Sequence, residues 1–209
     1  MEEYLNEKEQ WERVLAWLRE QGPWILAGVA VALGLFGGWH FWQNRMQQRD
    51  LAAASRYDQV INAFTHNDIV GGFRLADGLV KEFPRTAYAD QADLAVARVQ
   101  VETKQLDQAA ARLQQVLGST KDAELALIAR LRLARVQLAQ GKADDALKTL
   151  DAAKPGAFAA RYAEVRGDAL LAKGDRDGAL KAYREARGSG ASTLDTGLLD
   201  LKIGELAHS

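Results

Sequence analysis

Three histidines and several acid pairs are the side chains of this chain best suited to acid–base chemistry or metal binding. His40, His66 and His208 are scattered, and none has a second ligand at the spacing that a metal site needs. The absence of cysteine excludes disulfides, thiolate catalysis and cysteine-type zinc sites. Acid pairs such as Asp144-Asp145 open predicted helices, where a carboxylate caps free N–H groups and faces the positive end of the helix dipole. We therefore expect no enzyme activity, cofactor, metal or small-molecule substrate.

Charge and composition narrow the class of protein further. The 209 residues contain 27 Lys and Arg and 28 Asp and Glu, for a net charge of −1, so no basic footprint for nucleic acid is present. Alanine and leucine dominate and only three prolines occur, which is typical of an all-α protein. The fold class that we predict is all-α, with one N-terminal transmembrane helix followed by a solenoid of helical hairpins.

The predicted transmembrane helix covers residues 23–43. The stretch Trp24–Trp42 holds nineteen residues without a formal charge, and a helix of that length spans ~28 Å, close to the hydrocarbon core of a bilayer. Aromatic rings favour the headgroup level, and they stand at both ends of the stretch as a predicted interfacial belt: Trp24, Trp39, Phe41 and Trp42. Lys and Arg are balanced on the two sides, so charge alone does not orient the helix.

Small residues recur every four positions inside this stretch. Ala30, Gly34 and Gly38 share one helical face, and such faces let a second membrane helix approach closely. We take this membrane packing face as the candidate contact with a membrane partner.

Residues 1–22 form a short segment with six acidic residues and a predicted amphipathic helix, in which Trp11, Val14, Leu15 and Leu18 share one face. Two interpretations stay open: a helix lying at the membrane interface, or a recognition helix for a partner on that side.

Residues 44–209 carry an internal repeat. The segments 96–113, 133–150 and 166–183 align without gaps at spacings of 37 and 33 residues, and each predicts a helix, a tight polar turn and a second helix. Two columns stay small and a third is bulky, as in the tetratricopeptide (TPR) repeat: Ala97, Ala134 and Gly167; Ala109, Ala146 and Ala179; Leu113, Leu150 and Tyr183. A last helix near residues 194–206 is expected to cap the open end.

A TPR-like array acts through the surface that its first helices line. Two aligned columns give the candidate groove residues: Arg98, Arg135 and Asp168; Gln91, Ile128 and Arg161. Arginine there would bind a carboxylate or a peptide backbone, although ordinary solvated charges give the same pattern.

The whole layout resembles the ancillary SecYEG translocon subunit family of Gram-negative bacteria. The likeness rests on the span ending GGWHFWQNR and on LRLARVQLAQGKADDALKTLD and VRGDALLAKGD. It implies a protein that crosses the lipid bilayer of the inner membrane once, with its N-terminus in the cytoplasm and a TPR-like domain in the periplasm. The implied partners are the Sec translocon (SecYEG), a membrane-anchored periplasmic chaperone of the prolyl-isomerase type and a cytoplasmic stress-response regulator.

Three functions follow as hypotheses. The first is a non-enzymatic scaffold beside the translocon that assists export or folding of secreted and outer-membrane proteins. The second is stress signalling by the N-terminal segment. The third is a TPR adaptor that coordinates cell-envelope or division enzymes, because a TPR fold alone does not distinguish these roles.

Overall fold

A computed structural model describes residues 7–189 and 196–207. These residues form helices and no strand, in agreement with the all-α prediction. The predicted positions 1–6, 194 and His208 lie outside the described residues. The helices are α1 (Glu7–Thr65), α2 (Ile69–Glu82), α3 (Ala87–Glu102), α4 (Leu106–Ser119), α5 (Ala123–Ala139), α6 (Ala143–Asp151), α7 (Ala159–Ala172), α8 (Arg176–Gly188) and α9 (Thr196–Ala207), with a 3₁₀ turn at Gly156–Phe158 before α7.

The chain divides into two compact units, the first ending at Leu51 and the second beginning at Ala52, and α1 runs through both. Within the described residues, no single helix is long and apolar enough to cross a membrane. The bent pair Trp11–Gly22 and Ala27–Thr65 meets that requirement together, by length and composition. The single transmembrane helix over residues 23–43 therefore stays a prediction.

The second unit is built from helical hairpins whose turns share one backbone feature. A residue with positive φ stands in each turn: Asn67, Lys104, Gly141 and Gly174. Glycine adopts this conformation at no steric cost, whereas Lys104 (φ 63°) pays a penalty for its Cβ. The spacings of 37, 37 and 33 residues extend the repeat to the hairpin formed by the end of α1 and α2, which the three aligned segments do not include.

The starts of the second helices differ from the sequence expectation. Asp68 and Asp175 cap α2 and α8, accepting hydrogen bonds from Gly71 N (2.8 Å) and Gly178 N (2.9 Å). The helix α6 instead follows Lys142, and its cap makes no side-chain hydrogen bond. Asp144 and Asp145 lie in the first turn, where the helix dipole favours them and where they pair with Lys173 (2.6 Å) and Lys148 (3.8 Å).

Four apolar clusters form the core, and each joins one hairpin to the first helix of the next. The cluster of α3, α4 and α5 shows the pattern, because Ala97, Ala109 and Leu113 pack there with Leu133 and Val136. The remaining clusters join α1, α2 and α3; α5, α6 and α7; and α7, α8 and α9. Packing between nearest neighbours is typical of a solenoid.

The small and bulky columns meet inside these clusters. All nine column residues are buried: Ala97, Ala109, Leu113, Ala134, Ala146, Leu150, Gly167, Ala179 and Tyr183. In the last hairpin the bulky residue is the ring of Tyr183, and it packs directly against Gly167. A Cβ at Gly167 would lie 2.4 Å from Cε1 of that ring, which is too close for alanine. Gly167 is thus small for a reason that the two alanines of its column do not share.

Candidate functional site

The candidate site lies on the face formed by residues 52–65 of α1 together with α3, α5 and α7, which we call the first-helix face. Three cavities of about 300, 400 and 500 Å³ open along it. The first lies between α1, α3 and α5, the second between α3 and α5, and the third between α5 and the start of α7. Their volumes are at the lower end of the range of small ligand pockets.

Five of the six predicted groove residues line these cavities. Arg98 and Arg135 each line two, while Gln91, Ile128 and Arg161 each line one. Arg98 and Arg135 are exposed and the others are half-buried. The aligned columns therefore bring together most of the residues that they selected.

Asp168, the sixth, lines none of the three cavities. It accepts hydrogen bonds from the Tyr183 hydroxyl (2.8 Å) and from Lys202 Nζ (2.7 Å). Lys202 comes from α9, which packs on α7 and α8 and caps the array as the sequence predicts. The capping helix thus packs beside Asp168, the last residue of its column, and binds it through Lys202. Burial, followed by the bond to Asp168, raises the pKa of the Tyr183 hydroxyl above its ordinary range.

Arg132 is the main residue that the column analysis misses. Its side chain is exposed and lines all three cavities, yet the aligned positions in the neighbouring repeats hold Ala95 and Val165. A comparison that selects positions charged in more than one repeat does not select Arg132. Its signal in the sequence is its place three residues before Arg135, on the same helical face.

The arginines of this face differ in their partners. Arg98 pairs with Glu102 at 3.5 Å and Arg135 with Glu164 at 3.6 Å, both well exposed on the arginine side. Among the described residues, the hydrogen bond of Arg132 is to the Leu94 carbonyl (3.4 Å), and no carboxylate lies within ion-pair distance. Loss of solvent, followed by the charges of Arg98 and Arg135, lowers the pKa of Arg132.

A second charged cluster lies between α2, α3 and α4. Arg112 donates to Asp93 (3.0 Å) and to Asp77 (2.8 Å), and Gln115 also reaches Asp93 (3.3 Å). The Asp93 side chain is only 2% exposed, and burial raises the pKa of its carboxyl to about 6 although Arg112 acts in the opposite direction. This cluster joins three helices and is considered below for its effect on stability.

The described residues contain no group of three or more His, Asp and Glu side chains that could hold a metal ion. Of the two histidines in the described residues, His66 follows the end of α1 and bonds the Asn62 carbonyl (2.8 Å), and the rings of His40 and Phe36 stack with centroids 6.4 Å apart. Both partners lie four residues earlier in the chain, so neither contact brings distant residues together.

The membrane packing face and the predicted aromatic belt lie in the first unit, on the exposed surface of α1. A Cβ added at Gly34 or Gly38 would meet no described atom within 4 Å, and Ala30 is exposed on the same face. The aromatic residues Trp24, Trp39, Phe41 and Trp42 are exposed as well, each by at least 60%. Large apolar side chains around a helix that has no core to cover them are typical of a surface that another phase or partner covers.

The family model and the curated relatives that match this chain agree with one another. A sequence model of the tetratricopeptide repeat-like domain matches residues 15–208. A relative in Escherichia coli K12, named ancillary SecYEG translocon subunit, is 35% identical over 99% of this chain and 100% of its own length. A relative of the same name in Haemophilus influenzae is 31% identical over 97% of this chain and 98% of its own.

A solved structure supports the fold alone. MamA from Desulfovibrio magneticus RS-1 (residues 41 to the end) superposes with a TM-score of 0.55 at 14% identity. The match covers 75% of this chain and 89% of that one.

Proposed function

Because this chain belongs to the family of ancillary SecYEG translocon subunits, we propose that it is a non-enzymatic adaptor anchored in the bacterial inner membrane beside the Sec translocon. The observation that carries the proposal is the 35% identity over essentially the full length of both chains. A TPR-like domain over residues 15–208 agrees with a role in binding. The relatives' names leave topology open, and we propose a cytoplasmic N-terminus, a span over residues 23–43 and a periplasmic second unit.

We assign the contact with the translocon to the membrane packing face of Ala30, Gly34 and Gly38. The support is its open surface, because a Cβ at either glycine would meet no described atom within 4 Å. Substitution there should therefore change contacts with other molecules and leave the fold intact.

Gly34→Leu combined with Gly38→Leu should lower recovery of the translocon about tenfold. Bulky side chains prevent the close approach of two membrane helices, and a tenfold loss corresponds to about 1.4 kcal/mol of association free energy. The measurement is co-purification of the tagged full chain from solubilised membranes, quantified against its own amount. Undiminished recovery would show that this face is not the contact.

Two controls accompany that experiment. Gly28 also has open space around it, but at ~100° per residue it lies about 120° from Gly34, so Gly28→Leu makes the same change off the face and should preserve recovery. Deletion of residues 2–18 removes the segment that we propose binds a cytoplasmic stress-response regulator. It should alter the stress response and leave recovery unchanged, whereas lost recovery would make that segment part of the docking surface.

The first-helix face is the surface that we propose for a membrane-anchored prolyl-isomerase-type chaperone or for emerging secreted and outer-membrane proteins. A photoreactive residue at Arg98 or Arg135 should crosslink to such a chaperone or client in living cells, because both side chains are exposed on this face. The same residue at Arg184, exposed on α8 outside the three cavities, should not. Crosslinks to cell-wall or division enzymes instead would favour the envelope-adaptor hypothesis.

A further inference from the structure

The first-helix face concentrates positive charge in a chain that is nearly neutral. The charged side chains that line its three cavities are four arginines (Arg98, Arg132, Arg135 and Arg161) and one glutamate, Glu102. The whole chain has a net charge of −1. The excess is therefore local, and it complements a negatively charged partner.

Arg132 stands at the centre of this charge. It lines every one of the three cavities, and its guanidinium has no carboxylate within ion-pair distance among the described residues. Two other arginines act on it electrostatically, and both of these have a carboxylate neighbour. An anion bound at Arg132 would relieve the repulsion between these three like charges.

The surface between the arginines is apolar. The 400 Å³ cavity is lined by five apolar side chains, Ala97, Val101, Leu113, Val136 and Ala139, together with three arginines and Glu102. Apolar side chains of a ligand would fill such a cavity while its charged groups meet the guanidinium groups around it.

We propose that the first-helix face binds an extended peptide segment that carries both aliphatic and carboxylate side chains, with Arg132 as its central anchor. This inference rests on the proposed function and specifies which segment of a chaperone or client the adaptor recognises. Arginine binds carboxylates through paired hydrogen bonds, which gives the contact direction as well as charge.

The shape of the site favours a peptide over an acyl chain. The space is divided into three separate cavities along the helices of this face, whereas an acyl chain would need one continuous tube. Helices packed ~10 Å apart present such cavities at intervals that an extended chain crosses in about three residues each. About ten residues would span all three.

The test is fluorescence anisotropy with the full chain in non-ionic detergent. The probe is a labelled peptide of about ten residues that contains leucine and glutamate in equal numbers. Two matched peptides carry glutamine or lysine in place of every glutamate. We expect the glutamate peptide to bind at least about tenfold more tightly than the glutamine peptide, and the lysine peptide to show no binding. Equal binding of the glutamate and glutamine peptides would overturn the proposal.

Substitutions then locate the anchor. Arg132→Gln should weaken binding of the glutamate peptide about tenfold, and Arg132→Lys should restore part of it. Arg184→Gln removes an exposed arginine outside the cavities and should change nothing. Arg135→Gln, at a well-exposed position, provides a second variant whose helix content and melting can be matched to the wild type. Unchanged affinity in both Arg132→Gln and Arg135→Gln would refute the assignment.

Two further outcomes separate this inference from its alternatives. Competition by phosphatidylglycerol in mixed detergent micelles at the same arginines, with no peptide preference, would replace it with a lipid-binding face. Arg132→Gln should retain translocon co-purification while it loses the peptide. If the wild type binds the peptide but recovers no translocon, the proposed function fails and the peptide site stands.

Discussion

Arg112→Met should lower the free energy of unfolding by about 3–5 kcal/mol at pH 7, the largest single effect that we expect in this protein. The substitution leaves the Asp93 carboxylate without its guanidinium in a site where its side chain is 2% exposed. A buried charge that loses its partner is strongly destabilising, far more so than a broken surface pair. Urea unfolding of the full chain in non-ionic detergent, followed by circular dichroism, measures the change.

The same site should respond to pH in a defined direction. The pKa of Asp93 is about 6 in the folded chain and near 3.8 when unperturbed, so the folded state retains a proton that the unfolded state has released. Stability from this proton is fully present below about pH 4 and is lost as the pH rises through 6, by about 3 kcal/mol.

Asp93→Asn is the control for both effects. It should flatten the pH dependence between 4 and 6, and Arg112→Met should destabilise less in that background because no buried carboxylate is left. The arginine variant should also be milder near pH 4, where Asp93 is protonated. A full penalty for Arg112→Met in the Asp93→Asn chain would show that Arg112 acts through packing alone.

Gly167→Ala should destabilise by about 1–3 kcal/mol, although alanine is ordinarily the better helix former by ~1 kcal/mol. The added Cβ would lie 2.4 Å from the ring of Tyr183. That ring has little freedom to withdraw, because it is fully buried and its hydroxyl donates to Asp168. Thermal and urea unfolding of the full chain would detect the loss.

Tyr183→Leu should rescue the alanine. The double variant reproduces the combination of the other two hairpins, Ala97 with Leu113 and Ala134 with Leu150, so its stability should exceed the sum of the single effects by at least about 1 kcal/mol. Gly78→Ala is the matched control on α2, where nothing lies within 4 Å, and it should be neutral or slightly stabilising. Additive effects of Gly167→Ala and Tyr183→Leu would mean that the ring moves aside freely.

The fold was within reach of sequence analysis because repetition amplifies weak signals. A buried alanine is uninformative alone, but Ala109, Ala146 and Ala179 at equal offsets indicate a close helix contact three times over. The first hairpin is absent from the aligned segments, although its two helices are readable in the sequence, because it meets the same need with other residues: Gly72 is the small partner, and a Cβ there would lie 2.3 Å from the ring of Phe64. An alignment of residue types does not detect a hairpin in which the large and the small residue of a contact have changed places.

The candidate site was only partly predictable, because some of its residues do not repeat from one hairpin to the next. Arg98 and Arg135 recur in the alignment and were selected, whereas Arg132 occurs once and was not. Asp168 was selected because its column continues in sequence, although Lys202 of the capping helix already binds it. Contacts between elements far apart in the chain, such as these, carry no local signature.

The cluster around Arg112 also bears on how the array avoids assembling out of order. The aligned pairs in the three hairpins are chemically unlike: Asp93 with Arg112 is an ion pair, Arg130 reaches the Thr149 carbonyl at 3.4 Å, and Ala163 and Ala182 are simply buried. Each of these pairs lies between the two helices of one hairpin, so it bears on which helices pair. If α8 packed against α3 in place of α4, Ala182 would face the buried Asp93 carboxylate and leave it without Arg112. Near-identical repeats risk such mispairing during synthesis. The differences between the hairpins thus act as labels that match each first helix to one second helix.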